Sequence, residues 1–194
     1  MIIGVLGLQG AIREHRVSLE RLGVLVRTVK CVADLDGLSG LVLPGGESTA
    51  MQRLADGELR NRLQELSHGR FPMFGTCAGM ILLANTVDGA ETPHLGGMDI
   101  AVARNASGRQ VHSFETTLAV KGIEGDVPAV FIRAPFIVQL GPDVEPLAEY
   151  NGSTVMARQG SLLVASFHPE LTDDVRIHRM FVDIAERNQH HKET

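Results

Sequence analysis

The chain has 194 residues, of which 44% are hydrophobic and 21% charged, and its formal net charge is -5. This length fits one domain, since domains run to about 100–200 residues, and the composition is typical of a globular protein that buries a core. The negative charge argues against binding to nucleic acid or to an anionic membrane, because both require clustered lysine and arginine.

The two cysteines, Cys31 and Cys77, are too few for a disulfide framework and indicate a reducing, cytoplasmic compartment. We expect Cys31 to be a small buried structural residue. The apolar N-terminus is too short to span a bilayer and lacks the basic front of a signal peptide, so it predicts a first strand. No repeat or linker divides the chain, which we interpret as one domain over residues 1–188 with a polar, frayed tail over residues 189–194.

The first part of the chain alternates predicted strands and helices. Strands are predicted at residues 2–8, 24–29 and 41–44 and in the apolar run before Gly75. Helices are predicted from residue 12 to Gly23, from residue 48 to about residue 67, and directly after Cys77. This alternation predicts an α/β fold: a three-layer, open and mostly parallel sheet with helices on both faces.

The later part of the chain has a different pattern. Short alternating runs broken by glycine and proline, from about residue 99 to 165, predict added antiparallel strands. A last helix is predicted after Thr172, which would be its N-cap, with Asp173 and Asp174 at the positive end of the helix dipole. Its apolar stripe is formed by Ile177, Met180, Phe181, Ile184 and Ala185.

Cys77 lies between two glycines at a change from strand to helix, in the sequence GTCAG. G-x-C-x-G is the thiol form of the G-x-S-x-G nucleophile elbow, a tight turn that presents the side chain at a helix N-terminus. Backbone N–H groups there favour a thiolate and can hold an oxyanion. The alternative is a small buried hydrophobic residue, and the five-residue pattern alone leaves both interpretations open.

His168 is the best partner for a thiolate among the eight histidines of the chain. Pro169 favours an extended backbone at His168, so the side chains of His168 and Glu170 point to one face. A carboxylate in that place fixes the imidazole tautomer and stabilises its cation. Taken alone, H-P-E also fits an ordinary strand exit, but together with Cys77 it favours a Cys-His-Glu triad. His15, on an apolar helix stripe, is predicted to be structural.

Gly45 and Gly46 follow the third predicted strand, in LPGGES. They form either a simple turn into the next helix or a turn that directs a second backbone N–H at an oxyanion. The glycine pair alone does not decide between the two.

Six segments in a fixed order span nearly the whole chain: GVLGLQG, PGGEST, FGTCAGMILLA, RNASGRQVHSFE, FIRAP and SFHPELT. Together they resemble the class I, triad-type glutamine amidotransferases and, within them, the glutaminase subunits of pyridoxal 5'-phosphate synthase. The resemblance implies the flavodoxin-like α/β fold of that class.

The resemblance also implies a reaction and its residues. Cys77 would attack the side-chain amide of L-glutamine and form a glutamyl thioester, His168 would transfer protons, and Glu170 would orient His168. Backbone N–H groups of Gly46 and Ala78 would hold the oxyanion. The implied glutamine-binding residues are Gly46, Glu47, Ser48, Arg104, Ile132 and Arg133. Without the resemblance, solvated surface positions would be the usual interpretation of the two arginines.

The resemblance further implies a partner. The ammonia would pass to a separate synthase subunit that makes pyridoxal 5'-phosphate, which is then the pathway product and not a cofactor of this chain. No metal or other cofactor is expected, and the segment 7–10 with the following helix would couple docking to the site. The chain has His112 where such proteins usually have an acidic residue, so an ion pair in that loop is in doubt, and partner affinity could vary with pH.

Three alternatives compete with this interpretation. The chain could be a glutaminase that serves another synthetase, and only the segments GLQG, GRQVHSFE and FIRAP argue against this. It could be a different elbow-cysteine hydrolase, which would not need H-x-E together with Arg104 and Arg133. It could also be an inactive binding subunit, although all three triad residues are present.

Overall fold

The computed structural model describes residues 1–47, 57–89, 94–104 and 113–190. Within these residues the helices are α1 Ile12–Glu20, α2 Gly57–His68, α3 Ala78–Leu83 and α4 Arg176–His190. The strands are β1 Ile2–Leu6, β2 Leu25–Val29, β3 Gly40–Leu43, β4 Met73–Thr76, β5 Ala84–Val87, β6 Met98–Ala103, β7 Phe114–Ala119, β8 Asp126–Phe131, β9 Phe136–Leu140, β10 Glu145–Tyr150, β11 Ser153–Gln159 and β12 Leu162–Ala165.

Ten of these strands form one mixed sheet, in the order β2-β1-β3-β4-β12-β11-β9-β6-β5, with β10 paired to β11. The first five strands in that order are all parallel neighbours. β11 then runs antiparallel to β12, and β6 antiparallel to β9, while β7 and β8 form a separate two-stranded ribbon. The predicted parallel α/β sheet with added antiparallel strands is therefore confirmed.

Side chains of the parallel strands alternate between two cores, one on each face of the sheet. On one face Ile3, Val5 and Phe74 pack with Leu19 of α1 and Phe181 of α4. On the other face the core includes Leu43 and Met73 from the strands, with residues of α2 and α3. Helices thus cover both faces, as predicted, and the parallel strands end at a common edge.

Three strands were not predicted from the sequence. Antiparallel strands were predicted from the runs DIAVAR, ETTLAVKG, AVFIRAP, STVMARQG and SLLVASF, and β9 and β10 fall between the third and the fourth of these. β5 begins at Ala84, directly where α3 ends. The continuous apolar run that follows Cys77 does not mark this change, because buried helix and buried strand have the same composition. β5 pairs in parallel with β6 at the sheet edge.

Thr172 is not the N-cap of the last helix, contrary to the prediction. It ends the short 3-10 turn Pro169–Leu171, and its hydroxyl accepts the N–H of Asp174 at 3.3 Å. α4 begins only at Arg176, whose N–H donates to the Asp174 carboxylate at 2.9 Å. Thr172 therefore belongs to the turn that carries Glu170, and the helix begins four residues later.

The predicted boundary at residue 189 falls inside α4, which continues to His190. Gln189 donates from Nε2 to the hydroxyl of Ser39, the residue before β3, at 2.7 Å, which anchors this turn of α4. The start of the predicted helix at residue 48 lies outside the described residues, and only its part from Gly57 onward is described as α2.

Cys31 is exposed, so its prediction as a buried residue was wrong. After β2 the chain turns outward into the 3-10 turn Val32–Leu35, and the Cys31 thiol donates to the Asp34 carboxylate at 3.3 Å. Cys77 is buried, and both cysteines are free thiols. None of the described helices is long and apolar enough to cross a membrane.

Candidate active site

Cys77 occupies the single residue between β4 and α3, the strand-to-helix turn that GTCAG predicts. Its φ of 49° and ψ of -104° are strained for a residue with a side chain. The N–H of Cys77 donates to the carbonyl of Ala165 at 2.8 Å, which fastens the turn to the end of β12. The turn thus has the geometry of a nucleophile elbow.

The two glycines of the elbow are required by close backbone contacts. A Cβ atom on Gly75 would lie 2.5 Å from the carbonyl carbon and oxygen of Gly79. A Cβ atom on Gly79 would overlap the carbonyl oxygen of Leu43 in β3. The G-x-C-x-G spacing therefore reflects how tightly α3 folds back on β4 and β3.

His168 follows β12 and reaches Cys77 from the neighbouring strand end. Its N–H donates to the Val130 carbonyl at 2.8 Å, and its Nδ1 donates to Glu170 Oε1 at 2.7 Å. The side chains of His168 and Cys77 lie next to each other, because both are within 3.4 Å of the position that a Cβ atom on Gly45 would take. Glu170 is only 5% exposed, so this pair is held in a largely desolvated place. The three predicted triad residues therefore meet.

Opposing influences set the protonation of this pair. Burial lowers the pKa of His168, but hydrogen bonds to Cys77 and Glu170, and the charges of both, outweigh burial and raise that pKa to about 10. Burial raises the pKa of Glu170, but His15 and His168 outweigh this effect and lower it. At neutral pH the site therefore holds an imidazolium next to a carboxylate.

The loop after β3 closes over the triad. A Cβ atom on Gly45 would lie 2.9 Å from His168 Nδ1 and 3.4 Å from Cys77 Cβ. The carbonyl of Gly45 accepts the N–H of Ala11 at 3.2 Å, and a Cβ atom on Gly10 would overlap that carbonyl oxygen. The GLQG segment thus lies in direct backbone contact with the PGG loop.

The predicted oxyanion donors lie in these same loops. Ala78 is the first residue of α3, where helix N–H groups have no partner within the helix. Gly46 lies against Gly10, because a Cβ atom on Gly46 would be 3.2 Å from Gly10 Cα. Glu47 is exposed beside them, and Ser48 lies outside the described residues.

The other predicted glutamine-binding residues come from the antiparallel strands. The carbonyl of Ile132 lies 4.0 Å from Cys77 Sγ, and Arg133, at φ 44°, is exposed next to it. Arg104 follows β6, whose last residue pairs with the first residue of β9, so Arg104 and Arg133 share one edge of the sheet. Arg104 Nη2 lies 2.6 Å from His94 Nε2, so its hydrogen bond is to His94 rather than to the triad.

Sequence reasoning missed the second layer of this site. His15 and His178 are fully buried, and His15 lies 3.5 Å from Glu170. In the sequence, His15 lies on an otherwise apolar helix face, and this pattern predicted only a structural role for it. His94 is buried beside Arg104. His112 lies outside the described residues.

A thiol on a strand–helix elbow, next to a buried imidazole–carboxylate pair at the carboxyl edge of an open α/β sheet, defines a class of thiol-dependent α/β enzymes. Comparison with known families identifies which class this is. The SNO glutamine amidotransferase family matches residues 5–187. The chain belongs to this glutamine amidotransferase family, which confirms the resemblance found in its sequence.

Individual relatives agree with the family. The chain is 55% identical over 185 residues to the pyridoxal 5'-phosphate synthase subunit PdxT of Bacillus cytotoxicus, covering 95% of this chain and 94% of that protein. A crystal structure of a glutamine amidotransferase superposes with a TM-score of 0.90 at 45% identity, covering 96% of this chain and 100% of that one. PurLQS from Thermotoga maritima, with a TM-score of 0.67, 16% identity and 90% coverage of both chains, shares the fold alone.

Proposed function

We propose that this chain is the glutaminase subunit of a pyridoxal 5'-phosphate synthase and hydrolyses L-glutamine to L-glutamate and ammonia. The observation that carries the proposal is the placement of Cys77 and His168 side by side against Gly45, with His168 Nδ1 held by Glu170 at 2.7 Å. The 55% identity to a PdxT subunit over nearly the whole chain supports the pathway.

In the first half of the reaction the sulfur of Cys77 attacks the side-chain carbonyl carbon of glutamine. The carbonyl π electrons move to the oxygen, and the N–H groups of Gly46 and Ala78 stabilise the resulting oxyanion. His168, protonated at neutral pH, donates a proton to the amide nitrogen as the C–N bond breaks. Ammonia leaves and a glutamyl thioester remains on Cys77.

In the second half water replaces ammonia. His168, now neutral, removes a proton from the water as its oxygen attacks the thioester carbon. The tetrahedral intermediate collapses, the C–S bond breaks, and glutamate leaves. Glu170 keeps the imidazole oriented and stabilises its cation in both halves.

Glutamine itself is held by the residues around the sulfur. The carbonyl of Ile132, 4.0 Å from Cys77 Sγ, is placed to accept an N–H of the substrate. Arg104 and Arg133 share the edge of the sheet beside the triad and supply guanidinium groups for the α-carboxylate. Glu47, in the loop that closes over the triad, and Ser48, the next residue in the sequence, complete the binding set.

The released ammonia passes to a synthase subunit that builds pyridoxal 5'-phosphate, and the two subunits form a hetero-oligomer in the cytoplasm. The reaction of this chain is carried by its own side chains and backbone, with pyridoxal 5'-phosphate as the pathway product and not a cofactor. The contact of Gly10 with Gly45 supports coupling of partner docking to the oxyanion loop through the GLQG segment.

Glutamate release, measured with and without the synthase subunit of the same organism, tests the proposal. We expect the Cys77→Ser variant to release no glutamate while it still binds the synthase, and the Cys31→Ser variant to act like wild type, because Cys31 is exposed and remote in sequence from the elbow. Glutamate release by the Cys77→Ser variant would show that Cys77 is not the nucleophile. Stimulation by a different synthetase, with none by the pyridoxal phosphate synthase, would refute the pathway.

A further inference from the structure

We infer that His15 is a positioning residue of the triad, which holds the second carboxylate oxygen of Glu170, and that His178 fixes the tautomer of His15. This inference rests on the proposed function, because it assigns His15 a task only if the triad is catalytic. It adds a fourth and a fifth side chain to the predicted Cys-His-Glu set.

Glu170 uses its two oxygens differently. Oε1 accepts from His168 at 2.7 Å, whereas Oε2 is buried without a hydrogen bond among the described residues and lies 3.5 Å from His15 Nε2. The same nitrogen of His15 lies 3.1 Å from the hydroxyl of Thr76, the residue before Cys77. His15 Nδ1 lies 2.9 Å from His178 Nε2.

We assign one ring proton to each of these histidines at neutral pH, because the pKa of both is lowered. Burial lowers the pKa of His15 despite the nearby Glu170 carboxylate, and burial together with His15 lowers the pKa of His178 to about 3. Only two arrangements of the two protons are compatible with the 2.9 Å contact, because exactly one of the two facing nitrogens must donate.

In the first arrangement, His178 Nε2 donates to His15 Nδ1, and His15 Nε2–H lies between the Thr76 hydroxyl at 3.1 Å and Glu170 Oε2 at 3.5 Å. The Nδ1 of His178 is then a bare acceptor with no hydrogen bond within the described structure. In the second, His15 Nδ1 donates to His178, so a bare nitrogen faces the Glu170 carboxylate, and His178 buries an N–H without an acceptor. The second arrangement costs more, since it leaves a buried donor unsatisfied and turns a nitrogen lone pair toward a buried carboxylate oxygen.

The first arrangement orders the site: His178 donates to His15, the Nε2–H of His15 faces Oε2 of Glu170 at 3.5 Å, and His168 holds Oε1. An N–H that faces Oε2 disfavours rotation of Glu170 away from His168. His15 lies on α1, directly after the segment in which Gly10 contacts Gly45. One helix therefore contacts both the carboxylate of the triad and the loop that closes over it.

Variants of His15 separate positioning from packing. The amide nitrogen of His15→Gln can replace Nε2–H, whereas His15→Leu cannot donate. We expect His15→Leu to lower kcat for glutamate release with the synthase about 10- to 100-fold, the range typical of residues that orient a catalytic ligand from behind. KM should stay within about threefold of wild type, and His15→Gln should recover most of kcat. Equal kcat in wild type and folded His15→Leu overturns the inference, as does a loss that His15→Gln does not relieve.

A measurement on the unmodified protein keeps the inference falsifiable if these variants do not fold. Nitrogen-15 NMR of the histidine rings reports which ring nitrogen carries the proton. We expect the Nε2–H tautomer at both His15 and His178, and an Nδ1–H tautomer at His15 would overturn the inference. A wild-type complex that releases no glutamate refutes the proposed function instead, a result the tautomer measurement does not depend on.

Discussion

His168 lies so close to Gly45 that no side chain fits between them. A Cβ atom at residue 45 would be 2.9 Å from His168 Nδ1 and 3.4 Å from the Cβ of Cys77. The imidazole is therefore enclosed by the loop after β3, the elbow after β4 and the turn after β12. This enclosure explains how two short loops and one 3-10 turn hold three side chains in a fixed arrangement.

We predict that Gly45→Ala inactivates the protein without unfolding it. The added methyl group displaces the imidazole from Cys77 and Glu170, and a misplacement of about 1 Å costs about 100-fold in rate. Glutamate release with the synthase measures the loss, and circular dichroism checks the fold. Wild-type turnover in a folded Gly45→Ala variant would show that the described contact of the loop with His168 is not the active one.

A change in the elbow itself should affect folding. Gly79→Ala places a methyl group on the carbonyl oxygen of Leu43, a backbone atom that cannot move without disturbing β3. We expect it to lower the free energy of unfolding by about 1–3 kcal/mol or more, as measured by urea titration. Gly57→Ala is the matched control: no described atom lies within 4 Å of its Cβ, so the free energy of unfolding should stay within about 0.5 kcal/mol of wild type. Equal effects of the two variants would contradict the packing of the elbow.

The raised pKa of His168 predicts a contribution to the free energy of unfolding that is lost at high pH. The unfolded imidazole titrates near 6.5 and the folded one near 10, so the folded state binds the proton more tightly. The contribution is complete below pH 6.5 and is lost as the pH rises from 6.5 through 10. The difference in unfolding free energy between wild type and His168→Gln should therefore shrink over that range. A difference that grows with pH would mean that the folded imidazole is neutral.

The lowered pKa of His178 predicts that the free energy of unfolding decreases as the pH falls. Its folded pKa is about 3, so only the unfolded state gains the proton as the pH falls below 6.5. Wild type should lose stability from pH 6.5 toward 5, at up to about 1.4 kcal/mol per pH unit from this group. His178→Gln should have a shallower slope over the same interval. Equal slopes in the two proteins would show that His178 is protonated in the folded state.

Local pattern was enough to predict the elbow, the H-P-E pair and the parallel half of the sheet. Gly75 and Gly79 mark a backbone contact directly, and His168 and Glu170 are two residues apart on one chain segment. The layer behind them was not predictable in this way. His15 meets His178 only because α1 and α4 pack on the same face of the sheet, 163 residues apart in sequence.

The wrong or missing assignments occur where residue composition does not report the tertiary context. β5 continues an apolar run from α3, and nothing in its composition separates the two elements. Thr172 has the residue type of an N-cap, but it ends the 3-10 turn that carries Glu170 and therefore does not begin α4. Cys31 follows an apolar strand, yet the chain leaves the sheet there, and a thiol at an exposed turn has the same sequence context as a buried one.

The most direct test of the central claim is to trap the nucleophile. An electrophilic glutamine analogue is added to the chain in complex with its synthase, and the labelled cysteine is located by peptide mass spectrometry. We predict one adduct, on the buried Cys77, and none on the exposed Cys31, whereas a simple thiol reagent should label Cys31 first. An analogue that labels Cys31, or that leaves Cys77 unmodified while glutamate is still released, would contradict the account.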